Sequence, residues 1–258
     1  EKLRLPFPDK NSILKCQNKY LSRRLQKIIF PGKTPKFCLV DTAGKKPMTY
    51  PFFIKPVFSC ISFMAEIIRN DNEFENYIKR AKEEVPAFTE DLRKILDFLS
   101  PENRKIDPCK LIAEEIISGH QVTLDGFVYE KDVETVGIVD SIRYQNRFSF
   151  KRFQYPSKVP EEIKLKMSKI AEKIIKHKGF ENSMFNIEFF YRNNDIRIIE
   201  TNSRMSTQFA NLYEWVHGKN SYEIQTDIAL GKRPEMPEKG GYKIAASFVP
   251  RFFKDRKK

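Results

Sequence analysis

The chain has 258 residues, of which 40% are apolar and 13% aromatic, and its formal net charge is +13. These fractions exclude a disordered protein, and the chain is long enough to bury the core of one large domain or two small ones. The positive charge favours anionic partners such as nucleotides or acidic metabolites, and a solvated, lysine-rich surface accounts for most of it.

No apolar run approaches the length of a membrane span, and no signal peptide stands at the start of the sequence. The four cysteines are scattered, without the paired spacing of a zinc site or a disulfide framework. We therefore expect a cytoplasmic protein with reduced cysteines. Because the sequence begins with Glu1 rather than Met, we expect a trimmed or partial chain.

The first half of the chain carries three helical patterns. Apolar residues from Leu14 to Ile29 form a stripe at helical spacing, which predicts one helix over 11–30. Asp71 is the predicted N-cap of a second helix. Pro86 is expected to open a third helix, since proline fits the first turn.

Short apolar runs in the same half predict strands. These runs lie at 37–40, at 51–56, in the residues leading to Ile68, and at 111–117. The proline after Lys55 biases this lysine towards extended geometry, so its side chain is expected at a fixed strand end. Ser118 and Gly119 mark the expected hinge between the two halves.

The second half alternates strand patterns with two helical ones. Strands are predicted over 122–130, 136–142 and 244–249. An aromatic and basic loop is expected over 143–160, followed by an amphipathic helix over 160–178 that Gly179 is placed to end. A shorter helix is predicted over 221–230.

The clearest site signal is a predicted hairpin. Two β-rich runs, 185–190 and 196–200, flank a polar cluster of Asn and Asp residues, which is a hairpin pattern. If the turn centres near Asn194, Glu188 lies opposite Glu200. Like charges in such a pair are destabilising unless a positive group lies between them.

Asn202 is expected to share a strand face with Glu200, because side chains alternate along a strand. Two carboxylates and an amide oxygen at one point suit Mg²⁺, a hard cation that takes oxygen ligands. Arg204 would add a planar cation for a phosphate or a carboxylate. The residues alone leave open the alternative of a surface hairpin whose charges face water.

Four motifs follow one another in a characteristic order. They are Pro51-Phe-Phe-Ile-Lys-Pro56, Ile112-Ala-Glu-Glu-Ile-Ile-Ser-Gly119, Phe185-Asn-Ile-Glu188 and Ile199-Glu-Thr-Asn-Ser-Arg204. Together, from about Asn11 to the end of the chain, they resemble the ATP-grasp superfamily of carboxylate–amine and carboxylate–thiol ligases. The resemblance implies an α+β fold in which two α+β subdomains grip a nucleotide between antiparallel sheets. It implies a lead-in over 1–50, a small subdomain over 51–117, and a large subdomain with the metal site over 118–258.

The resemblance also implies ATP and Mg²⁺ as cofactors, with Mn²⁺ as an alternative metal. The residues that match nucleotide-binding positions are Lys19, Lys55, Ser59, Ser62, Glu114, Glu115, Ile116, Ile117 and Gln121. Both lysines match phosphate-holding positions, and 114–117 matches the adenine-binding segment. Gln121 stands where the family usually has a ribose-binding acid. The residues that match metal ligands are Glu188, Glu200 and Asn202.

The family reaction passes a carboxylate onto the γ-phosphate of ATP, and an amine or thiol then attacks the acyl phosphate. Arg204 matches the arginine that steadies the substrate or the acyl phosphate. Lys151 and Arg152 are candidates to bind the γ-phosphate or the substrate carboxylate, and a flexible basic loop is the alternative for both. The expected partners are therefore small-molecule carboxylates and amines, with neither nucleic acid nor membrane.

Departures from the family pattern keep rival functions open. The segment 59–62 has no glycine where members have a glycine-rich flap. Gln208 stands where biotin carboxylases place a glutamate base, and an amide cannot act as a base, which disfavours a carboxylase. The usual N-terminal domain is expected to be absent or truncated, so we expect a homodimer or a domain supplied from elsewhere. A non-catalytic nucleotide-binding module and a basic nucleic-acid binder are the remaining rivals.

Overall fold

The computed structural model describes residues 5–42, 45–60, 62–96, 107–145, 147, 149–237 and 239–253. The chain forms two compact units. The four-stranded unit consists of Asp9–Ser118 and His177–Gly179. The six-stranded unit consists of Gly119–Lys176 and Phe180–Lys258, together with the segment that ends at Pro8. Among the described residues, no helix is long and apolar enough to cross a membrane.

The four-stranded unit combines helices with one antiparallel sheet. Its helices are α1 (Lys10–Gln17), α2 (Lys19–Ile29) and α3 (Asp71–Leu96). Its strands are β1 (Phe37–Val40), β2 (Phe52–Pro56), β3 (Glu66–Ile68) and β4 (Leu111–Glu115), in the order β1-β4-β2-β3. Apolar side chains of the sheet and of α3, such as Phe52 and Tyr77, form its core.

The six-stranded unit is built on a larger antiparallel sheet. Its strands are β5 (His120–Tyr129), β6 (Asp132–Arg143), β7 (Phe150–Tyr155), β8 (Ser183–Arg192), β9 (Asp195–Asn202) and β10 (Ala245–Phe248), in the order β10-β7-β6-β5-β8-β9. Its helices are α4 (Glu161–Lys178), whose last two residues belong to the other unit, α5 (Ala210–His217) and α6 (Ser221–Ala229). Helices and antiparallel sheets in both units confirm the predicted α+β class, and Gly179 ends α4 as expected, with φ of +66°.

The single helix predicted over 11–30 is wrong, because Asn18 divides it into α1 and α2. The backbone N–H of Asn18 donates to the Leu14 carbonyl at the end of α1. The Asn18 side chain accepts from the backbone N–H of Leu21 at 3.0 Å and so caps α2. The short polar side chain of asparagine competes with the helical backbone in this way.

Helix α2 buries a polar stripe more completely than its apolar one, of which Tyr20 and Leu21 are partly buried against a core cluster. Lys19, Ser22, Arg23 and Gln26 lie on one side of the helix and are all buried. Ile28, in the apolar stripe, is 77% exposed. An apolar stripe usually faces the core. The polar stripe is buried here because its side chains find hydrogen-bonding and ionic partners inside the unit.

Helix α3 differs from its prediction at two points. It runs through Pro86, which was expected to open a separate helix. The carbonyl that loses its bond to this proline belongs to Lys82, a residue on the exposed side of the helix. Asp71 is the first helical residue, and Asn70 is the cap, since its side chain accepts from the Glu73 backbone N–H at 2.9 Å.

The loop predicted over 143–160 contains strand β7. This strand pairs with β6 on one side and with β10, from the far end of the chain, on the other. Phe153 and Tyr155 of β7 are buried in a core cluster of the six-stranded unit. The local sequence is rich in basic residues, so the strand becomes evident only from its distant partners.

Candidate functional site

The β8–β9 hairpin brings together the two glutamates that the sequence predicts to pair, but its register differs from the predicted one near the turn. Arg192 pairs with Asp195 across a two-residue turn, and this register continued unbroken would set Glu188 opposite Ile199. Glu188 lies directly opposite Glu200. Asn193 and Asn194 form the turn with positive φ values of 49° and 62°, as a type I′ turn requires. A register shift follows Glu188, and it places the two carboxylates next to an irregular step of the ladder.

Two asparagines extend the same hairpin face. Asn186 lies opposite Asn202. Asn202 Nδ2 donates to Asn186 Oδ1 at 2.9 Å, and Asn186 Nδ2 donates to the Arg204 carbonyl at 3.0 Å. The first bond uses the amide nitrogen of Asn202, so the oxygen is the atom of this side chain that suits a metal. The exposed Arg204 side chain donates to the Met205 carbonyl at 3.2 Å.

This hairpin face fits a hard divalent cation. Two carboxylates directly opposite each other repel unless a cation lies between them. Carboxylate and amide oxygens are ligands that Mg²⁺ accepts, alongside water and phosphate. The described part of the chain contains no group of three or more His, Cys, Asp or Glu side chains placed to hold a metal. The fit therefore rests on the mixed set of two glutamates and one asparagine.

Gln121 connects Glu188 to an arginine that the sequence analysis missed. Gln121 Nε2 donates to Glu188 Oε2 at 2.9 Å, and Gln121 Oε1 accepts from Arg143 Nη2. The Arg143 guanidinium lies 5.3 Å from the ring centroid of Phe190. Burial lowers the pKa of Arg143, and the charge of Glu188 offsets only part of this effect. The alternation of Ser141 and Arg143 at the end of β6 is the sequence signal for this position.

Asp125 is a second residue that the analysis did not assign to the site. It lies on β5 opposite Asn186 and is fully buried. Its carboxyl accepts from Ser206 Oγ at 2.7 Å and from Tyr213 OH at 3.0 Å. Burial raises the pKa of Asp125 to about 7, against the opposing effect of the two hydroxyl donors.

In the four-stranded unit, both predicted lysines are buried. Lys55 Nζ lies 3.0 Å from Glu114 Oε2, and Lys19 Nζ donates to the Ser59 carbonyl at 2.7 Å. Glu114 also accepts from Arg23 Nε. Burial raises the pKa of Glu114, but the charges of Arg23 and Lys55 outweigh it and bring the value to about 2. This carboxylate is therefore ionised and held by two cations.

The rest of the predicted adenine segment lies at and beyond the end of β4. Glu115 is the last residue of the strand, and its side chain accepts from the Lys36 backbone N–H at 3.1 Å. The prediction of a strand over 111–117 is therefore too long, since Ile116 and Ile117 follow the strand. Their backbone groups are not part of the sheet ladder.

The predicted flap has left-handed backbone positions without glycine. Ser62 has a φ of 58°, and Met64, just after the flap, has a φ of 48°. Residues other than glycine, asparagine and aspartate adopt such positive φ values uncommonly. Ser59 Oγ donates to the Pro56 carbonyl at 3.4 Å. Of the two residues between these serines, Ile61 lies outside the described residues.

Lys151 and Arg152 lie on β7 rather than in a loop. A register shift falls at this point, since Ile142 pairs with Arg152 and Arg143 pairs with Phe150, so Lys151 is the extra residue on β7. Lys151 is exposed, whereas Arg152 Nε is buried and no described residue accepts a hydrogen bond from it. The predicted loop is therefore wrong at these two positions, while their assignment to the γ-phosphate or the substrate carboxylate stays a prediction.

Comparison with known proteins gives a family and a fold. The model of the ATP-grasp domain matches residues 48–212. A search of curated proteins finds no significant match. An L-amino acid ligase from Bacillus licheniformis superposes with a TM-score of 0.74 at 18% identity, over 97% of this chain and 59% of that chain.

Two further solved structures have the same fold. One is the β-γ-ATP complex of a biotin carboxylase from Campylobacter jejuni. It has a TM-score of 0.67 at 17% identity, over 92% of this chain and 50% of that one. The biotin carboxylase domain of a Hydrogenobacter thermophilus 2-oxoglutarate carboxylase, in complex with MgADP and bicarbonate, has a TM-score of 0.64 at 18% identity, over 90% of this chain and 49% of that one. The chain thus spans 49% to 59% of the length of these three proteins.

Proposed function

The chain belongs to the ATP-grasp family, and from this premise we propose that it binds ATP with Mg²⁺ and transfers the γ-phosphate to a carboxylate, which gives ADP and an acyl phosphate. An amine then attacks the acyl phosphate, so that a C–N bond forms and phosphate leaves. The observation that carries this proposal is the register of the β8–β9 hairpin, which sets Glu188 opposite Glu200. Two carboxylates at one point are oxygen ligands suited to Mg²⁺, which a magnesium nucleotide supplies.

Each side chain has a proposed role in binding. Glu188, Glu200 and Asn202 would hold Mg²⁺, which neutralises charge on the phosphates. Lys55 and Lys19 would bind the phosphates, since both are cations on regular elements. These roles agree with the needs of phosphoryl transfer, which depends on positioning and charge neutralisation more than on a covalent nucleophile.

The adenine base of the nucleotide is assigned to residues 114–117, and the ribose is assigned to Gln121. Because both oxygens of the Glu114 carboxylate are already bound by cations, we assign adenine binding chiefly to the backbone groups at Glu115, Ile116 and Ile117. Gln121 would bind the ribose hydroxyls through its amide. Ser59 and Ser62 would contact the phosphates in place of a glycine-rich flap.

Basic residues of the six-stranded unit are assigned to the substrate. Arg204 is exposed and offers a planar cation suited to a carboxylate or an acyl phosphate. Lys151 and Arg152 on β7 are further candidates to bind the γ-phosphate or the substrate carboxylate, and Lys151 is the exposed one of the two. The L-amino acid ligase among the similar structures supports a carboxylate and an amine as substrates, and Gln208 argues against bicarbonate.

Trapping the acyl phosphate tests this proposal. The full chain is incubated with ATP, Mg²⁺, hydroxylamine and a panel of carboxylates that includes L-amino acids. Hydroxylamine attacks an acyl phosphate to give a hydroxamate and phosphate, so we expect hydroxamate and ADP in equal amounts with at least one acid. Glu200→Gln is expected to abolish both products, and Glu172→Gln, at a half-exposed position of α4, should leave them unchanged.

A non-catalytic nucleotide-binding module is the second candidate. The glycine-free segment 59–62 favours it, because glycine is what lets backbone N–H groups close over phosphates. Binding of MgATP without hydroxamate or ADP from any acid would support this candidate and contradict the ligase.

A further inference from the structure

A row of polar side chains is buried along one side of α2, inside the four-stranded unit. Arg23 Nη1 donates to Gln26 Oε1 at 2.6 Å, and Gln26 Nε2 donates to Ser22 Oγ at 3.1 Å. At the far end of the row, Lys178 Nζ donates to Ser22 Oγ at 2.9 Å. Arg23 is only 3% exposed. Its guanidinium is therefore fixed in place by the helix, by burial and by its hydrogen bonds.

The Arg23 guanidinium shares Glu114 with Lys55. Glu114 Oε1 accepts from Arg23 Nε, while Glu114 Oε2 lies 3.0 Å from Lys55 Nζ. The side chains of Arg23, Glu114 and Lys55 are 4%, 5% and 8% exposed. Water therefore screens these three charges weakly, and each charge acts strongly on the others.

Two cations and one anion give this trio a net charge of +1 (two positive charges less one). Without the charge of Arg23, the net charge of the remaining pair is zero, and the carboxylate of Glu114 acts on Lys55 alone. An anion that approaches Lys55 then meets a cation whose field is cancelled by an unshared carboxylate.

We propose that Arg23 is a positioning residue that takes up the charge of Glu114 and thereby keeps the charge of Lys55 available to the nucleotide phosphates. Arg23 acts through Glu114 and Lys55 rather than on ATP itself. This inference rests on the proposed function, in which Lys55 binds phosphate. It accounts for the burial of Arg23 in the polar stripe of α2.

The test separates the phosphate contribution to binding from the adenosine contribution. The full chain is titrated calorimetrically with MgATP and with adenosine, and the ratio of the adenosine Kd to the MgATP Kd is the readout. Arg23→Gln removes the charge but keeps a hydrogen-bond donor, and we expect the ratio to fall about tenfold or more. Arg23→Lys keeps the charge, so we expect a ratio within about threefold of the parent.

Two further variants test the charge argument independently. Arg23→Gln combined with Glu114→Gln returns the net charge of the trio to +1 and should recover most of the ratio. Glu114→Gln alone raises the net charge and should raise the ratio, which tests the same argument in the opposite direction. Arg24→Gln is the matched control, because Arg24 is exposed on the same helix, and circular dichroism verifies that each variant is folded.

Equal losses of affinity for MgATP and adenosine in Arg23→Gln would indicate a purely structural role and overturn the inference. A fall in Arg23→Lys as large as that in Arg23→Gln would overturn it as well, as would a Glu114→Gln ratio that does not rise. Failure of the parent chain to bind MgATP is a separate result, because it contradicts the proposed function itself.

Discussion

Asp125 shows how burial alone can set the behaviour of one carboxyl group. Its pKa is raised from 3.8 to about 7 by burial, so the folded chain prefers the neutral acid while the unfolded chain ionises near the ordinary value. The stability contributed by this group is therefore fully present below the unfolded pKa and is lost as the pH rises through 7. The pKa of Glu114, about 2, lies below the ordinary value, so the stability that this group contributes changes in the opposite direction: it is lost as the pH falls.

Asp125→Asn is expected to remove this pH dependence, because an amide resembles the neutral acid. The free energy of unfolding of the parent should fall relative to that of Asp125→Asn between pH 5 and pH 8, by roughly 2 kcal/mol. Urea unfolding without added metal, followed by the fluorescence of Trp215, measures it, since this single tryptophan lies in the same unit.

Asp195→Asn provides the control, because Asp195 is half-exposed at the start of β9 and is paired with Arg197. Exposed ion pairs contribute little, so this variant should follow the parent at every pH. A difference between parent and Asp125→Asn that stays constant with pH would contradict the assignment.

At the scale of single residues, the sequence predicts those features of the site that depend on local periodicity. The hairpin itself follows from its turn residues and from side-chain alternation, whereas the pairing of Glu188 with Glu200 also depends on a register shift that the local pattern does not reveal. Arg23, Arg143 and Asp125 could not be assigned in this way. Their partners lie on elements far along the chain, and no local spacing reveals which polar residues will meet in the interior.

Among the elements, the β8–β9 hairpin depends on a turn that only some residues tolerate. Asn194 has a φ of 62° and its side chain accepts from Tyr191 OH at 3.1 Å. Asn194→Gly should leave stability within about 0.5 kcal/mol, because glycine adopts this conformation freely. Asn194→Val should cost about 1–2 kcal/mol, since a β-branched residue is strained there. Urea midpoints from Trp215 fluorescence check both values.

The hairpin prediction also has a functional consequence. Because the turn and the register shift after Glu188 together set Glu188 opposite Glu200, Asn194→Val is expected to weaken Mg²⁺-dependent ATP binding more than Asn194→Gly does. Equal stability of the two variants would contradict the left-handed turn.

Elements that the sequence misjudged share a physical cause. Helix α2 buries its polar side because interior partners on β4 and at the end of α4 satisfy it. Strand β7 forms because β6 and β10 pair with it on both sides. Amphipathic patterns report what a segment would do against an apolar partner, and they fail where the partner is polar or distant.

At the scale of the whole molecule, the end of α4 is part of the four-stranded unit. Lys178 is fully buried, and its ammonium donates to the Lys15 carbonyl at 2.6 Å, near the C-terminus of α1. A carbonyl at this end of a helix lacks an intrahelical partner, and a cation there is stabilising. This side chain thus ties His177–Gly179 to α1 and α2 within one unit.

Lys178→Met is expected to destabilise the four-stranded unit by about 1–3 kcal/mol, because the Lys15 carbonyl loses this donor and the Ser22 hydroxyl keeps only the bond from Gln26. Lys176→Met is the matched control. Lys176 is two residues away, half-exposed, and paired only with Glu172 at i−4 among the described contacts, so its loss should cost less than about 0.5 kcal/mol. Scanning calorimetry compares the two, and equal melting temperatures would contradict the anchoring role.

The central claim is that the paired carboxylates of the hairpin hold the metal of a magnesium nucleotide. Its most direct test is calorimetric titration of ATP with and without Mg²⁺, on the parent chain and on Glu200→Gln. The account predicts binding that requires Mg²⁺ in the parent and an affinity that falls at least about tenfold in Glu200→Gln. Binding that is equally tight without Mg²⁺, or unchanged by the substitution, would contradict it.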